Sequence, residues 1–580
     1  MGRNKKEGDL KLDIREKNGK FYAYRSTSTS VNGVKKTETE YLGRYDPETQ
    51  TVIEKRIRGP RRSKEEIEAT KKEMTIIDLL KGVESREYGA VYLLDAIQRR
   101  THLGCDLHLS FGTAAPAILA SAMALAIEGG AFMHIEDTMD RSMIRQFYGL
   151  RSRFDSRSMS DFTHEIGLCN SNIDDFFGYR LRRCDSMISW DTTTKGTYSL
   201  ESGLAEYAHS KDGERIPQIK KAMASDMRGV PTMFEMYPGT MSDMATLTAF
   251  VDRIRRYGRD DLVVAMDRGF GSGANLHHMN SLHVKYVVPA NIGVKTIKSL
   301  MTEFHHRSND RRVHDGHSYD VWETKVVLIP DGDKRNAMGD QVYSIIYGRD
   351  APSNSEFVDV FVCFDTEKYS DETQSLRVML DEISKKLDRI DAKNPMEEFK
   401  RIAGKAARYF EASAEGRHLR YRVKNNAVSF SENRAGMFVM LATPGIGWES
   451  MMSIYDARTL VEQNFDADKA EDRRFRTSDP VTIHGREFIR FISLVMRCEI
   501  AAQLRRCPDP VTVQGIINSM GAITSMGRGD EWIVKNVTKK NREMFEYLNI
   551  EVPQTVLLNQ RIYTQEELDD AILTEAEASH

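Results

Sequence analysis

At 580 residues the chain is long enough for several domains and an ample core. Charged residues of both signs are abundant and the formal net charge is −3. No whole-chain field therefore attracts or repels a polyanion, and any nucleic-acid partner has to be met by local patches. Six cysteines, at 105, 169, 184, 363, 498 and 507, are scattered without a CxxC pair. That excludes a zinc ribbon and a disulfide framework and fits a reducing compartment. The N-terminal MGRNKKEGDL lacks the apolar stretch of a signal peptide, so a cytoplasmic protein is expected.

In chain order, FYAYRSTSTSV and VKKTETEYLGRY read as strands flanking Asn32-Gly33, a hairpin turn signal. A basic segment, EKRIRGPRRSKEE at 54–66, reads either as a solvated linker or as a contact to DNA phosphates. Ser63 and Glu66 form a capping box that opens a helix to about Lys81. Helical segments fill 88–182. Among them the apolar run Ala114–Ile127 is too short to span a bilayer and is expected as a buried helix. From 185 the pattern changes. SMISWDTTTKGTYSL reads as a strand, and two more strands are punctuated by Pro231 and Pro238-Gly239. ATLTAFVDRIRRYG is a helix, and DDLVVAMDRGFGSGANLHHM is an apolar strand ending in Asp267, a glycine-rich turn and a helix. That succession is α/β punctuation. Residues 300–440 carry strand-like runs around a polar helical pair, a β-rich module set into the α/β part. An apolar helix, FIRFISLVMRCEIAAQL, and a mixed, finally acidic tail complete the chain.

Three acids stand out. Asp191 lies in a strand, Asp267 at a strand end and Glu462 on a helix. An all-oxygen donor set selects a hard cation such as Mg²⁺, and three converging carboxylates suit the two-ion arrangement of phosphoryl transfer. Each acid alone has an ordinary reading, a loop residue or helix cap. The helix YDARTLVEQNFDADKAEDRRFR, from Tyr455, adds a second sign. At about 100° per residue, Tyr455, Arg458, Glu462, Phe465 and Lys469 fall on one face less than a quarter-turn wide. A solvated stripe of i,i+3 and i,i+4 pairs is one reading. The other has Arg458 gripping a phosphate, Lys469 as a point charge and Tyr455 against a phosphate or sugar, with the helix burying its other sides.

Tyr455, Arg458, Glu462 and Lys469 occupy all four positions of a Y-x2-R-x3-E-x6-K pattern. The chain in this respect resembles transposases of the insertion-sequence type-four superfamily, in its long-transposase branch. "WDTTTKG" and "MDRGFGSGANL" resemble that family's first and second aspartate blocks. The resemblance spans roughly 90–500. It implies a DDE transposase whose α/β ribonuclease-H-like catalytic core is interrupted by a β-rich insertion domain, with a helical N-terminal region preceded by a small β-hairpin segment. The expected division is a β-rich segment at 1–60, a helical DNA-binding region at 61–182, and the core at 183–300 and 441–506. The β-rich insertion takes 301–440 and a C-terminal region 507–580. Asp191, Asp267 and Glu462 are then the catalytic and metal residues, holding two Mg²⁺ ions (or Mn²⁺), and Tyr455, Arg458 and Lys469 bind DNA. The implied partners are double-stranded DNA, as terminal inverted repeats and target, and a second copy of the chain in a homodimer on DNA. No membrane partner is expected, and a cytoplasmic, nucleoid-associated protein is implied.

Three other readings compete. A catalytically silent transposase-derived DNA-binding protein would need an impaired acid set. A DNA nuclease of the same fold would cut without joining. An ordinary hydrolase would need His277-His278 or His305-His306 to act, and neither pair has a nucleophile motif. Trp322 and Trp448 read as core or rim residues.

Overall fold

The computed structural model describes residues 12–54 and 82–569, apart from 18, 32–33, 48, 50, 185–186, 199–201, 209, 211–212, 260–262, 308–309, 336–340, 348–354, 472–473, 478 and 508–510. The side chains of 27–31, 34–36, 53–54, 187, 333, 461–462 and 465–471 are also outside the description. The basic linker, the capping box at Ser63 and its helix, the Asn32-Gly33 turn and the end of the acidic tail therefore lie outside the described residues. The chain divides into two units, Met1–Val83 and Glu84–His580.

In the first unit, strands Leu12–Lys17, Lys20–Val31, Val34–Asp46 and Thr51–Glu54 form a four-stranded antiparallel sheet in chain order. The central hairpin pairs from Phe21↔Tyr45 to Val31↔Val34. Tyr41 sits between Tyr22 and Tyr24, with ring centroids 6.1 and 5.3 Å away, the diagonal and opposite cross-strand contacts that stabilise such a ladder.

The second unit is organised by one eleven-stranded sheet. Its strands are β1 (Met187–Thr197), β2 (Gln218–Ser225), β3 (Pro231–Pro238), β4 (Val263–Ala265), β5 (Lys285–Pro289), β6 (Asp310–His314), β7 (His317–Arg335), β8 (Gln341–Ile346), β9 (Glu356–Asp365), β10 (Met437–Ala442) and β11 (Arg474–Phe475). The order is β6-β7-β9-β10-β5-β4-β1-β2-β3, with β8 beside β7 and β11 beside β1. β1, β4 and β5 run parallel. β2 and β3 add antiparallel on one side, and β10, β9, β7 and β6 antiparallel on the other. The three-residue β4 is wholly buried and apolar, as a parallel strand covered on both faces must be. The strands of 310–365 and 437–442 are thus continuous with the α/β sheet. The polar helical pair, Thr366–Leu387 and Pro395–Ala403, packs with the hairpin Phe410–Val423 around its own small core.

Six helices support the sheet and the site it carries: α1 (Ala115–Glu128), α2 (Ser156–Leu168), α3 (Asp243–Arg256), α4 (Gly273–Ser281), α5 (Trp448–Glu471) and α6 (Pro480–Leu504). From Thr482 to Ile500 nearly every side chain of α6 is buried, and a helix apolar on all sides belongs in the middle of a core. The N-terminal helices pack on it, and one hydrophobic cluster runs from Leu94, Met123 and Phe147 through Phe177 to Phe234, Phe488 and Phe491. Phe177 meets the last three edge-on at 5.5, 6.2 and 5.4 Å. Where α2 crosses α6 the backbones touch. A Cβ on Gly485 would stand 1.8 Å from the Thr163 carbonyl oxygen, and one on Gly167 would stand 1.9 Å from that of Val481. The stretch Leu103–Glu128 is apolar and long enough to cross a bilayer. It is broken at Gly112–Ala114, and α1 buries eleven consecutive or near-consecutive residues, Ala115 to Ile127, in this core.

Asp479 begins α6. Its carboxylate accepts from the Thr482 hydroxyl, from the Thr482 amide at 2.8 Å and from the Val481 amide at 3.4 Å, and it pairs with His164 at 2.8 Å. The Thr482 hydroxyl, then His164 and these amides, hold its pKa down to about 2. A depressed carboxylate contributes stability above its unfolded pKa and loses it as pH falls through the folded one. Asp479→Ala is therefore expected to cost about 1 kcal/mol at neutral pH, with the difference from wild type shrinking between about pH 4 and pH 2. Urea midpoints measured across that range check it, and a pH-independent gap would remove the carboxylate charge from the cap's contribution.

Candidate active site

β1 and β4 are paired in parallel through Ser189↔Ala265. Two residues further along come Asp191, still inside β1, and Asp267, just past the last paired residue of β4, so the register directs both acids to the same end of the pairing. Side chains alternate faces along a strand. Trp190 goes to one face, with Phe250 of α3 at 6.1 Å and Phe270 at 5.6 Å. Asp191 takes the opposite face, buried, its Oδ1 accepting from the Thr192 amide at 2.7 Å. Asp267 caps the turn Arg268–Phe270 and accepts the Arg268 amide at 2.5 Å. More than half of its side chain is exposed.

α5 lies over β1, β4 and β5. Its sheet-facing stripe starts apolar. Trp448, Met451, Met452 and Ile454 are buried on Val263, Ala265, Val287 and Met440, and Tyr455 stacks on Phe438 of β10 at 6.3 Å with the rings 11° apart. One turn on, the same stripe turns polar, and an Arg458 guanidinium nitrogen reaches Asp267 at 3.6 Å. On the far side of the helix, buried Asn464 donates to the Gly229 carbonyl at 2.8 Å and the Ser225 hydroxyl at 3.2 Å, and accepts from the Cys498 thiol at 3.0 Å. The expectation that every side away from the stripe is buried does not hold, because Asp456, Thr459 and Gln463 are exposed. The helix is clamped on its stripe face and its Asn464 face and open along the arc between.

The helix backbone at Glu462 and Lys469 is described, and their side chains are not. Arg458 is thus brought to Asp267, Asp191 lies on the strand next to β4, Tyr455 belongs to the sheet-facing packing, and Glu462 stands one turn beyond Arg458 on the same stripe. Among the described residues no three His, Cys, Asp or Glu side chains cluster as a metal site. The donor set still fits a hard cation, with a buried carboxylate inside β1 and a half-exposed one just past the end of β4, under a helix that carries Glu462.

The histidine pairs are engaged elsewhere. His277 lies 2.6 Å from Glu356 and 2.9 Å from the Tyr343 hydroxyl, His278 lies 2.9 Å from the Thr248 hydroxyl, and His305 lies 3.2 Å from the Asn433 carbonyl. Trp448 is buried beside His314, and Trp322 is half-buried beside Tyr347. Sequence reasoning passed over Asn464, whose signal was a polar residue at 180° from Tyr455, about 140° from the centre of the stripe, and over a buried ion cluster. In that cluster Lys195 of β1 and Lys221 of β2, both inaccessible, meet Glu487 of α6 at 3.4 and 2.6 Å, with Arg490 at 3.7 Å.

No curated protein matches the chain. It is similar to the piggyBac transposase chain of a cryo-EM structure of that protein's synaptic complex with hairpin DNA, at 10% identity and a TM-score of 0.29, over 64% of this chain. The match covers 59% of the piggyBac chain, less than two thirds of its length. The segment that carries both strand aspartates, residues 188–328, matches the family model described as Transposase DDE domain.

Proposed function

We propose that this protein is a DDE transposase of the insertion-sequence type-four superfamily, long-transposase branch. In this reading it binds the terminal inverted repeats of its element, cleaves there and transfers the strands to target DNA by cut-and-paste. The observation that carries the reading is the pair Asp191 and Asp267, at the same end of the β1–β4 pairing inside the transposase-matched segment, under a helix with the complete Tyr455, Arg458, Glu462, Lys469 spacing. The strand order β3-β2-β1-β4-β5 supports a ribonuclease-H-like core, with 301–440 as its β-rich insertion.

Asp191, Asp267 and Glu462 would hold two Mg²⁺ ions, which when bound supply an activated water or 3′-hydroxyl and take up charge on the leaving oxygen. The chain's own contributions follow from position. Burial of Asp191 and its amide contact fix one carboxylate, while the exposure of Asp267 leaves the other open to substrate. Arg458, held beside Asp267, presents a planar fork to a phosphate, and Lys469 adds a point charge further along. Tyr455, stacked on Phe438, has its ring direction set before DNA arrives. The proposal also takes the protein to act in the cytoplasm at the nucleoid, as a homodimer on DNA; its cysteines, none of them in a disulfide, accord with a reducing compartment.

The test is a cleavage assay of the full chain on duplexes carrying the sequences that flank its gene, with Mg²⁺ and with EDTA. Mg²⁺-dependent breaks at the repeat ends support the reading, and binding without breaks under both conditions would leave only a DNA-binding relative. Arg458→Ala is expected to weaken end binding about tenfold, the loss of one charge-assisted phosphate contact, with an unchanged melting temperature. A lowered melting temperature with unchanged DNA affinity would return the stripe to a structural role.

A further inference from the structure

The turn that joins β2 to β3 is tied to α6. The Asp226 carboxylate accepts the Arg228 and Val230 amides at 2.9 and 2.8 Å. The Arg228 guanidinium bridges Asp226 at 2.8 Å and Glu499 of α6 at 3.0 Å, and both carboxylates are buried. Arg505, just past α6, donates to the Arg228 carbonyl at 2.7 Å. α5 rests on this turn at two points one helical turn apart. Gly229 has a left-handed φ of 74°, and a Cβ there would stand 2.5 Å from the Leu460 Cβ, so glycine serves both the conformation and the close approach. Four residues after Leu460, the Asn464 side-chain amide donates to the Gly229 carbonyl at 2.8 Å and the Ser225 hydroxyl at 3.2 Å, and its oxygen accepts from the Cys498 thiol at 3.0 Å. A main-chain carbonyl can only accept, so this amide has one orientation. A carboxylate or a methyl in its place leaves the Gly229 carbonyl without that donor.

At about 100° per residue, Leu460 and Asn464 lie about 40° apart on one face of α5, and position 462, midway between them in sequence, falls on the opposite face. We propose that Asn464, received by Gly229, is a positioning residue for Glu462: it fixes the rotation and the axial setting of α5 where the third acid leaves the backbone. The catalytic consequence rests on the function proposed above, and the hold on the helix rests on these contacts. The sheet-facing anchors of α5, Trp448 to Tyr455, belong to its first two turns. After Arg458, Asn464 is the one buried side chain of α5 among those described. Apolar packing tolerates small rotations, whereas hydrogen bonds weaken steeply with angle. A slip of α5 by one residue would turn position 462 by about 100° and move it by about 1.5 Å.

The test compares the full-length wild type with Asn464→Ala, and with Gly229→Ala alone and combined with Leu460→Ala, which returns the space the new Cβ takes. Hydrogen exchange without metal or DNA reads the helix directly. Amides 458–464 are expected to exchange about tenfold faster in Asn464→Ala, the loss of about one buried hydrogen bond, with those of α6 unchanged. Mn²⁺ affinity, measured from the spin resonance of the free ion, should fall about tenfold. Single-turnover cleavage in Mg²⁺ at saturating DNA should fall about a hundredfold, the effect of a misplacement of about 1 Å, with end binding in EDTA unchanged. Gly229→Ala should lose rate in the same way, and Leu460→Ala should restore most of the rate without restoring the melting temperature, because the strain of the positive φ remains. Exchange in α5 that matches wild type overturns the inference. So does faster exchange in α5 with wild-type Mn²⁺ affinity and rate, since the helix would then be loose without consequence at Glu462. A wild type that neither binds Mn²⁺ nor cleaves, while Asn464→Ala still frees α5, overturns the acid-site reading and the catalytic role of Asn464 with it, and supports the hold on the helix.

Discussion

Glu462→Gln is expected to reduce Mg²⁺-dependent cleavage of element-end DNA by at least about a thousandfold, corresponding to about 4 kcal/mol of transition-state stabilisation. End binding in EDTA should stay within about twofold. Gln keeps the size and hydrogen-bonding reach of Glu and removes the charge a hard cation needs. The helix should stay in place, because its anchors are elsewhere: Trp448 and Met451 on the sheet, and Asn464 on Ser225 and Gly229. Asp191→Asn should produce a loss of the same size, and the double variant should lose little more, since residues that act as one unit are far from additive. Single-turnover rates on a labelled end duplex are the measurement. A Glu462→Gln rate within tenfold of wild type would take Glu462 out of the acid set and leave the two strand aspartates seeking another partner.

The second large effect lies away from the acids. Glu487→Ala is expected to destabilise the second unit by about 3–5 kcal/mol, the cost of breaking a buried ion pair by removing one partner. Lys195 and Lys221 would keep their charges at positions with no solvent access and lose the carboxylate that meets them at 3.4 and 2.6 Å. Replacing all three together, as Lys195→Met/Lys221→Met/Glu487→Leu, should recover most of the loss, because an apolar group of similar volume does not demand a counter-charge. Urea unfolding of the full chain, followed by tryptophan fluorescence, measures both. A loss below 1 kcal/mol for Glu487→Ala would mean that water or another group already answers these lysines.

The contrast between these two sites shows what a sequence exposes. Asp267 was legible because an apolar run, an acid and a glycine turn sit within a dozen residues, and α5 was legible because four residues at fixed spacing share one face. Local patterns of this kind need no partner to be read. Lys195 and Lys221 were opaque for the opposite reason. In TTTKG and QIKKAMAS a lysine on an alternating strand looks solvent-facing, and only α6, almost 300 residues further on, turns that face into an interior. The same holds for β6, β7, β9 and β10. Their apolar runs announce strands, but pairs such as Val287↔Ala442, which join them to the α/β strands, are set by contacts about 150 residues apart. The apolar start of the α5 stripe was missed because the motif begins at Tyr455, two turns after the helix does.

β10, wedged between β5 and β9, also has a consequence in time. The chain emerges N-terminus first, so the strands carrying Asp191 and Asp267 are made well before α5. At 5–20 residues per second the 195 residues from Asp267 to Glu462 take on the order of ten to forty seconds. Through that interval a ribosome-bound chain holds two members of the proposed acid set and lacks the third. The helix that carries Glu462 is placed only after β10 has closed a loop of some 150 residues against β5, a step whose entropy makes it slow among folding events. If the protein acts as proposed, an unfinished or truncated copy of this chain lacks a member of its acid set and is expected not to cut DNA.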